Sequence, residues 1–451
     1  MKQENYDVLV IGSGMGGIAS AALLARNGYK TLLVEKMQRL GGRWSTTEVE
    51  GFKLPTGAVC IATRGETQAV FEECGVPFDV RETASLTMWL EGKWHELPTK
   101  GQFRALLSII EKADEDRAKV VGHLIKKMAM EKIMSGLRAG PPREKPGDKM
   151  SFRDWLLQYT DNETILQIFQ ALTSAISGVN DFEYPVAHWF AYTSKAMGGQ
   201  GGLTYYALAP HGNVRLAEAL ADTVKARGGD VWTGAPATRI LVEGGVAKGA
   251  IVQRGDEDIE VRSGVVICDG GPKRTVELVG REFLDDGYLH KVDAMRSVPS
   301  VELFVASDKP LTPAKGTMLV VGARRIVTCV AMSAVCPELA PPGQHLMVVW
   351  GTPANCLQHM NVEEEVAACM EDVRMVFPEF DAHGRILLRR TRDIDDEFPG
   401  YRSWHGYALN PETPIRNLYN AGDGVEPYGW EGLAACAHGA KLLVNEIKKK
   451  K

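Results

Sequence analysis

The stretch Asp7-Val-Leu-Val-Ile-Gly-Ser-Gly-Met-Gly-Gly17 decides the fold of this chain. Its first five residues form a short apolar run bounded by glycine, which predicts a buried parallel strand. The Ala- and Leu-rich segment from Ile18 to Asn27 predicts a helix directly after the glycines. Gly12, Gly14 and Gly17 occupy the three positions of the dinucleotide-binding fingerprint, where a missing Cβ permits a tight turn and close approach to a pyrophosphate.

A second predicted strand, Thr31 to Val34, ends in Glu35, about 20 residues after the first glycine. A carboxylate there can accept hydrogen bonds from both ribose hydroxyls, whereas it would repel a 2′-phosphate. Gly16, in the glycine turn, and Lys36, beside the acid, are further candidates for the same site. The strand, turn, helix and acid in this order predict a bound adenine dinucleotide, with its phosphates at the helix N-terminus.

The segment Arg39-Leu-Gly-Gly42-Arg43-Trp-Ser-Thr46 resembles the R-x-G-G-R-x-x-[ST] motif that follows the first βαβ unit in the flavin amine oxidase and phytoene desaturase superfamily. Its glycines let the backbone pass against a cofactor, while Arg39 and Arg43 offer charged donors to phosphates. An Arg-Gly surface loop is the alternative. The resemblance implies FAD rather than NAD as the cofactor.

The C-terminal segment resembles the second flavin signature of the same superfamily. A predicted strand from Asn417 ends in Gly422-Asp423, and a loop leads to an Ala-rich helix predicted from Leu433 to Ile447. The resemblance implies that Asp423 contacts the ribityl-phosphate region. It also implies that the helix beginning near Gly432 and Leu433 directs its positive end at the flavin N1–C2 carbonyl edge.

Three more cofactor contacts are expected by resemblance. Gly57 and Ala58 lie where the chain of the related proteins crosses the flavin ring, although an ordinary turn glycine would explain Gly57 equally well. Ala237 matches the position of a strand that lies against the adenine. Together with the preceding motifs, these residues distribute the predicted FAD site over three separated parts of the chain.

The whole chain resembles the carotenoid and retinoid oxidoreductase branch, the phytoene desaturase-like proteins, of the FAD-dependent amine oxidase superfamily. A length of 451 residues favours two domains. The resemblance implies an α/β fold: a Rossmann-like FAD-binding domain of the GR2 type with an inserted substrate domain of mixed sheet and helices. We predict an FAD-binding domain in residues 1–62, 207–290 and 400–451, and a substrate domain in 63–206 and 291–399.

Composition and charge restrict the partners. A net charge of −5, without a basic stripe interleaved with aromatics, argues against nucleic acid. The eight cysteines form no C-x-x-C pair or metal-ligand spacing, so we expect a reducing compartment and no metal. The absence of a signal-peptide pattern and of a long apolar run predicts a cytoplasmic protein. The Met-rich segment 126–134 and Lys448–Lys451 could contact a membrane peripherally, or be an ordinary helix and a solvated tail.

Periodicity and turn signals predict further elements. They indicate a hairpin over 86–97, a helix that Ser151 caps, and a helix over 214–227. Short strands with glycine turns are predicted over 230–233, 238–243, 246–253, 259–262 and 265–268. Strands of a second sheet are predicted over 301–306, 317–321, 326–331, 345–350 and 386–391, with a helix over 362–377. Aromatic residues that could line a pocket or form core are Phe182, Tyr184, Trp189, Phe190, Tyr192, Tyr205 and Tyr206.

The resemblance implies transfer of hydride between an sp³ carbon and flavin N5, with orientation and exclusion of water as the main contributions of the protein. Candidate catalytic residues are Trp430 and Glu431, nearest the expected flavin ring, and His405, which could approach from the preceding strand. Glu431 could instead cap the last helix, and His405 could be a surface residue.

Three functions follow from these features. The first is a dehydrogenase or desaturase of an isoprenoid or terpenoid substrate, with a quinone or another electron carrier as acceptor. The second is an amine oxidase that produces hydrogen peroxide. The third is a redox-neutral flavoprotein, either an isomerase or a partner subunit, and an oligomer is a further possibility. The partner expected for the first function is a hydrophobic small molecule.

Overall fold

The computed structural model describes residues 2–83, 86–98, 105–106, 108–109, 122–124, 126–127, 129–130, 150–196, 206–395 and 409–450. Several predictions of the sequence fall outside these residues: His405, Tyr205 and most of the Met-rich segment 126–134. In the described part of the chain, no helix combines the length and the apolar character needed to cross a membrane.

The described strands are β1 (Lys2–Ile11), β2 (Thr31–Val34), β3 (Thr46–Val49), β4 (Phe52–Pro55), β5 (Ile61–Ala62), β6 (Arg81–Glu82), β7 (Thr87–Leu90), β8 (Lys93–Glu96), β9 (Tyr206–Leu208), β10 (Asp230–Trp232), β11 (Ala237–Glu243), β12 (Val246–Arg254), β13 (Glu257–Cys268), β14 (Ser300–Ser307), β15 (Thr317–Val320), β16 (Ile326–Ala331), β17 (His345–Gly351), β18 (Gly384–Arg392) and β19 (Leu418–Asn420).

The helices that the structure bounds are α1 (Met15–Arg26), α2 (Glu66–Cys74), α3 (Phe152–Leu156), α4 (Glu163–Ser177), α5 (Val186–Ala196), α6 (Asn213–Ala226), α7 (Pro272–Val279), α8 (Asp286–Ala294), α9 (Met332–Val335), α10 (Val362–Val376), α11 (Phe380–His383) and α12 (Gly432–Lys449). Two short 3₁₀ turns span Arg281–Phe283 and Pro337–Leu339.

The first sheet has the order β10-β2-β1-β13-β12-β11, with β19 also paired to β13. The pairs of β10, β2, β1, β13 and β19 are parallel, whereas β11, β12 and β13 pair antiparallel. Helices α1, α6 and α12 bury their apolar residues against one face of this sheet. The carboxyl ends of the parallel strands therefore meet at one edge, which is where ligands bind in open α/β sheets. The α/β fold class is as predicted.

One prediction for this sheet is wrong. Residues 259–262 and 265–268 were expected to form two strands, but they belong to the single strand β13. The reason is the partner strand: β1 pairs in parallel with β13 from Lys2↔Ile259 to Ile11↔Cys268. Pairing in the same register on both sides of Gly264 keeps the strand extended there, so the glycine does not produce a turn.

The second sheet has the order β18-β14-β17-β16-β15-β7-β8. Its pairs are antiparallel except for β15 with β7, so the sheet is mixed, as predicted. Alternate residues point to opposite faces of a strand. One face packs on α10 through a core that includes Val301, Val349 and Val373. Residues in the alternate positions line a cavity, described below.

Each of the two large sheets draws its strands from separated parts of the chain. Strands of the first sheet come from residues 1–62, 207–290 and 400–451, and those of the second from 63–206 and 291–399. The boundaries between domains remain predictions. The hairpin β7–β8 forms as expected, and Ser151 caps α3 by accepting a hydrogen bond from the backbone N–H of Asp154.

Candidate active site

A cavity of about 530 Å³ lies along the carboxyl ends of the first sheet and extends to the second sheet. Both predicted catalytic residues that the structure describes, Trp430 and Glu431, line it. Gly17 is one position further into α1, outside the lining. The predicted cofactor residues that line the cavity are Gly12, Gly14, Gly16, Glu35, Lys36, Arg39, Gly42, Arg43, Gly57, Ala58, Ala237, Gly422, Asp423, Gly432 and Leu433.

The glycine turn is packed so closely that side chains cannot be added. A Cβ at Gly16 would collide with the backbone nitrogen of Gly422, and one at Gly17 would collide with the carbonyl oxygen of Gly12. Gly12 itself has a φ of 101°, a conformation that favours glycine. The missing Cβ atoms thus bring α1 against the turn after β1 and the loop after β19, and leave the wall at Gly12, Gly14 and Gly16 as bare backbone.

Glu35 fastens this turn to the end of β2. The buried carboxylate accepts hydrogen bonds from the Ser13 amide at 2.9 Å, the Ser13 hydroxyl at 2.6 Å and the Met37 amide at 2.9 Å. The sequence analysis missed Ser13, although its place between two fingerprint glycines could have indicated it. Glu35 also lines the cavity, so the predicted ribose contact stays compatible with its position.

Arg43 and Asp423 join the two flavin-like segments. The Arg43 guanidinium forms an ion pair with the Asp423 carboxylate, although the residues are 380 positions apart. The Cys436 thiol donates to the same carboxylate at 3.5 Å. Arg39, in contrast, donates to the Gly42 carbonyl at 2.9 Å and so supports its own loop. The pair places one positive and one negative group at the junction of turn and C-terminal loop.

Asp269, at the end of β13, is a site residue that the sequence analysis did not identify. Cβ atoms at Gly14, Gly16 or Gly422 would meet its carboxylate. Within the described residues, its Oδ2 atom is buried without a hydrogen-bond partner. Burial, and next the charge of Asp423, raise the pKa of Asp269 well above its ordinary value. Its position at the carboxyl end of a parallel strand was the available signal.

These features fit a bound dinucleotide. The bare glycine backbone leaves room for a pyrophosphate, and Arg43 supplies a cation beside it. The unpartnered Oδ2 atom of Asp269 matches a ligand that brings hydroxyl donors. The alternative of an Arg-Gly surface loop is wrong, because Arg39, Gly42 and Arg43 all line the cavity.

The loop before α12 brings Glu431 into the cavity. Glu431 occupies the N-cap position of α12, but its side chain accepts no backbone hydrogen bond there, so the interpretation of this residue as a side-chain cap is wrong. Instead, the Tyr184 hydroxyl donates to Glu431 Oε1 at 2.7 Å. The neighbouring Trp430 stacks on His438, with ring centroids 4.4 Å apart. The Glu431 carboxylate is therefore held by Tyr184, a residue that precedes α5.

The far part of the cavity, which we call the substrate chamber, has a mainly apolar lining. The aromatic residues predicted as either pocket or core divide between these roles. Trp189 and Phe190 are buried in a core cluster with Phe152, whereas Tyr192 and Tyr206 line the chamber. Phe182 is half-exposed. The apolar chamber residues include Leu86, Leu172, Ile176, Val298, Leu319, Val330, Val348 and Trp350.

Comparison with known proteins identifies the family. The model of the flavin-containing amine oxidoreductases matches residues 15–435, which is nearly the entire chain. The chain belongs to this family. It is therefore an FAD-dependent oxidoreductase, and the predicted cofactor is confirmed.

Individual relatives are distant. The chain is 22% identical to 4,4′-diapolycopen-4-al dehydrogenase of Metabacillus indicus, with 98% of this chain and 96% of that protein aligned. It is 22% identical to the 15-cis-phytoene desaturase of Solanum lycopersicum over 98% of this chain and 77% of that protein. A match to the inactive all-trans-retinol 13,14-reductase of Danio rerio, at 25% identity, covers 59% of this chain and 48% of that protein. The predicted resemblance to the phytoene desaturase-like branch is confirmed.

Solved structures share the fold. An oxidoreductase from Methanosarcina mazei superposes with a TM-score of 0.82 at 23% identity, over 97% of this chain and 100% of the other. Putrescine oxidase bound to putrescine gives a TM-score of 0.71 at 15% identity, over 99% of this chain and 100% of the other. The predicted Rossmann-like FAD-binding fold with an added substrate domain is confirmed.

Proposed function

We propose that this protein is a dehydrogenase or desaturase that removes hydride from an apolar substrate of isoprenoid or terpenoid type. The proposal rests on the different surroundings of the two faces of the second sheet. One of its faces packs on α10, while residues of the other, including Val330 and Val348, line the same cavity as the glycine turn. An apolar molecule in the substrate chamber would therefore be held directly against the cofactor.

The names of the relatives support this substrate class. The proteins from Metabacillus and Solanum are named for carotenoid-type substrates, and both align over almost the whole of this chain. An apolar lining removes water from a greasy ligand and fixes its orientation without charged groups. The exclusion of water and the fixed orientation both suit a reaction at an unactivated carbon.

When bound, FAD supplies the hydride acceptor. The protein would supply the rest: the chamber orients the substrate carbon and excludes water, and Glu431 accepts the proton from the adjacent carbon. Loss of a hydride from one carbon and of a proton from its neighbour leaves a carbon–carbon double bond. The hydroxyl of Tyr184 holds the Glu431 carboxylate in place at 2.7 Å. A quinone or another electron carrier would then take the two electrons.

The amine oxidase alternative has less support. In an amine oxidase we expect an aromatic pair beside the flavin ring, and Tyr428 and Trp430 are the aromatic residues of the loop before α12. Trp430 lines the cavity, but Tyr428 packs edge-on against His188, with centroids 4.4 Å apart. Similarity to putrescine oxidase at 15% identity concerns the fold alone.

The test is the absorbance of the purified protein during anaerobic addition of a terpene, a carotenoid precursor and an amine. We expect bleaching of the flavin bands by one of the isoprenoids and none by the amine. Bleaching by the amine alone, with hydrogen peroxide formed on admission of air, would establish the oxidase instead. A flavin that no compound reduces would favour the redox-neutral alternative.

We also propose a cytoplasmic protein that touches membranes peripherally when it delivers electrons to a quinone. Lys448 and Lys449 close the last turn of α12 and could meet anionic headgroups. Sedimentation with vesicles of phosphatidylglycerol, compared with phosphatidylcholine vesicles, tests this contact. Equal binding to both would count against it.

A further inference from the structure

The cavity wall contains a serine and an arginine on neighbouring strands of the second sheet. Ser300 of β14 pairs directly with Arg392 of β18, and both residues line the cavity. Both are buried, with exposed fractions of 1% and 7%. The alternate β14 residues Val301 and Leu303 belong to the core on the α10 side. Because directly paired residues share one face of a sheet, Ser300 and Arg392 lie together on the cavity side.

Arg392 is fixed by two acceptors. Its guanidinium forms an ion pair with the Glu302 carboxylate and donates to the Thr56 carbonyl at 2.9 Å. Thr56 precedes Gly57, which also lines the cavity and is a predicted contact of the flavin. A guanidinium has five N–H donors, and the two contacts that it makes within the described residues use only part of them. Donors of Arg392 therefore remain for a ligand where the cofactor end meets the chamber.

The charges of this cluster do not balance. Arg390, which is paired with Glu302 across the two strands, also donates to the Glu302 carboxylate, at 2.8 Å. The two arginines and Glu302 together carry one excess positive charge. Burial, with the like charges of Arg390 and Arg43, lowers the pKa of Arg392, although Glu302 acts in the opposite direction. An anion in the cavity would stabilise this buried cation.

Ser300 adds a neutral donor beside the excess charge. In the part of the chain that the structure describes, its buried Oγ atom has no hydrogen-bond partner. A hydroxyl group left in this state is destabilising until an acceptor reaches it. The neighbouring chamber residues Val348 and Trp350 are apolar. The wall thus suits a molecule with an apolar body and an anionic oxygen group at one end.

We propose that Ser300 and Arg392 bind a carboxylate group of the substrate, so that the substrate is an isoprenoid-type acid. This inference deepens the function proposed above and rests on it for the isoprenoid class. A carboxylate matches the planar guanidinium, balances the excess charge and accepts the proton of the Ser300 hydroxyl. An FAD phosphate has similar chemistry, but the glycine turn and Arg43 provide a separate place for it. Ser300 and Arg392 belong instead to the sheet that forms the chamber.

The experiment compares two ligands of one carbon skeleton. The FAD-loaded protein is titrated anaerobically at neutral pH with citronellic acid, which is then a carboxylate, and with its primary amide, which is uncharged. Perturbation of the flavin absorbance bands measures binding, and their bleaching measures reduction. The variants are Ser300→Ala and Arg392→Gln. Thr352→Val is the matched control: the Thr352 hydroxyl is also buried without a partner among the described residues, but Thr352 does not line the cavity.

We expect the unmodified protein to bind the acid roughly 30-fold more tightly than the amide. Arg392→Gln should abolish this preference, because glutamine carries no charge. Ser300→Ala should lower it to roughly 5-fold, since one donor is lost, and Thr352→Val should keep it in full. If Arg392→Gln does not fold, because Glu302 has lost a partner, Ser300→Ala decides alone. A full preference in Ser300→Ala would refute the inference.

The dissociation constant of FAD separates the two sources of an anionic group. It should be unchanged in Ser300→Ala. Weaker FAD binding in this variant, together with equal affinities for acid and amide in the unmodified protein, would assign the site to an FAD phosphate and refute the inference.

Bleaching separates this inference from the proposed function. Equal affinities with bleaching would refute the carboxylate site and leave the dehydrogenase proposal standing. A preference for the acid that depends on Ser300, without bleaching, would support the carboxylate site and count against hydride removal. If neither ligand binds, the inference is refuted, and the additions of a terpene and a carotenoid precursor described above still test the proposed function.

Discussion

The two ends of the cavity are built in different ways. The cofactor end consists of backbone and charge: glycines whose Cβ atoms would collide with neighbours, and the ion pair between Arg43 and Asp423. The substrate chamber consists of alternate side chains from the second sheet and from α4 and α5. The cofactor end tolerates few residue types, since only glycine permits such close backbone contact. The second depends on size and apolar character, which many residues share.

Substitution of Glu431, the proposed proton acceptor, should have the largest effect on the rate of flavin reduction. It tests whether the cofactor end and the substrate chamber act together. In Glu431→Gln, we expect anaerobic flavin reduction by substrate to slow by about 10²- to 10⁴-fold, because the amide cannot take the proton. FAD content should stay unchanged. Tyr184→Phe, which removes only the hydrogen bond to Glu431, should slow reduction by roughly 10-fold and alter its pH profile. A normal rate in Glu431→Gln would remove this residue from the chemistry.

The ion pair tests the cofactor end alone. Arg43→Ala should weaken FAD retention by roughly 10- to 150-fold, since charge-assisted hydrogen bonds contribute about 1.5–3 kcal/mol and Asp423 would lose its partner. Flavin content after gel filtration and the dissociation constant of added FAD measure the effect. Arg215→Ala is the control, because Arg215 is exposed, does not line the cavity and forms its ion pair with Glu218 on the same helix. Unchanged flavin content in Arg43→Ala would contradict the assignment.

Two adjacent valines test the substrate chamber alone. Val348 lines the chamber, whereas Val349 packs in the core beneath α10, and both are buried. Val348→Thr should weaken binding of an apolar ligand about 5-fold, because it places a hydroxyl in the chamber at a cost near 1 kcal/mol. Val349→Thr should lower the thermal midpoint but leave the affinity of the folded protein unchanged. Equal effects on affinity would show that the faces of this sheet are not distinct.

The smallest effect concerns Asp269 in the FAD-free protein. Burial, and next the charge of Asp423, raise the pKa of Asp269 in the folded protein. The folded state therefore favours the neutral carboxyl group, and the free energy of unfolding falls as pH rises from the ordinary aspartate range toward the raised pKa. Asp269→Asn does not titrate. The thermal midpoint of Asp269→Asn minus that of the unmodified protein should therefore be roughly 2 °C larger at pH 8 than at pH 4. Parallel curves for both proteins across this range would contradict the raised pKa.

Predictions from the sequence succeeded where a local pattern suffices. The glycine turn, Glu35 and the Arg39–Arg43 segment are each contiguous and follow predicted strands, so their common location could be foreseen. Asp269 was missed because a single aspartate after a strand carries no motif. The single strand β13 was missed because pairing with β1 overrides the glycine at 264. The aromatic cluster could not be divided in advance, because the choice between core and chamber depends on which side of α5 meets the cavity.

The sequence by itself determined the α/β class, the FAD site and the separation of its parts, since spacing and residue type fix the backbone geometry that a dinucleotide needs. Tertiary structure alone decided which carboxylates and hydroxyls meet. It brought Tyr184 to Glu431 across 247 positions, Asp423 to Arg43, and Tyr206 to the same chamber as Val348. Such contacts arise from the packing of two sheets and their helices, and a side chain carries no mark in the sequence of the distant residue that it will touch.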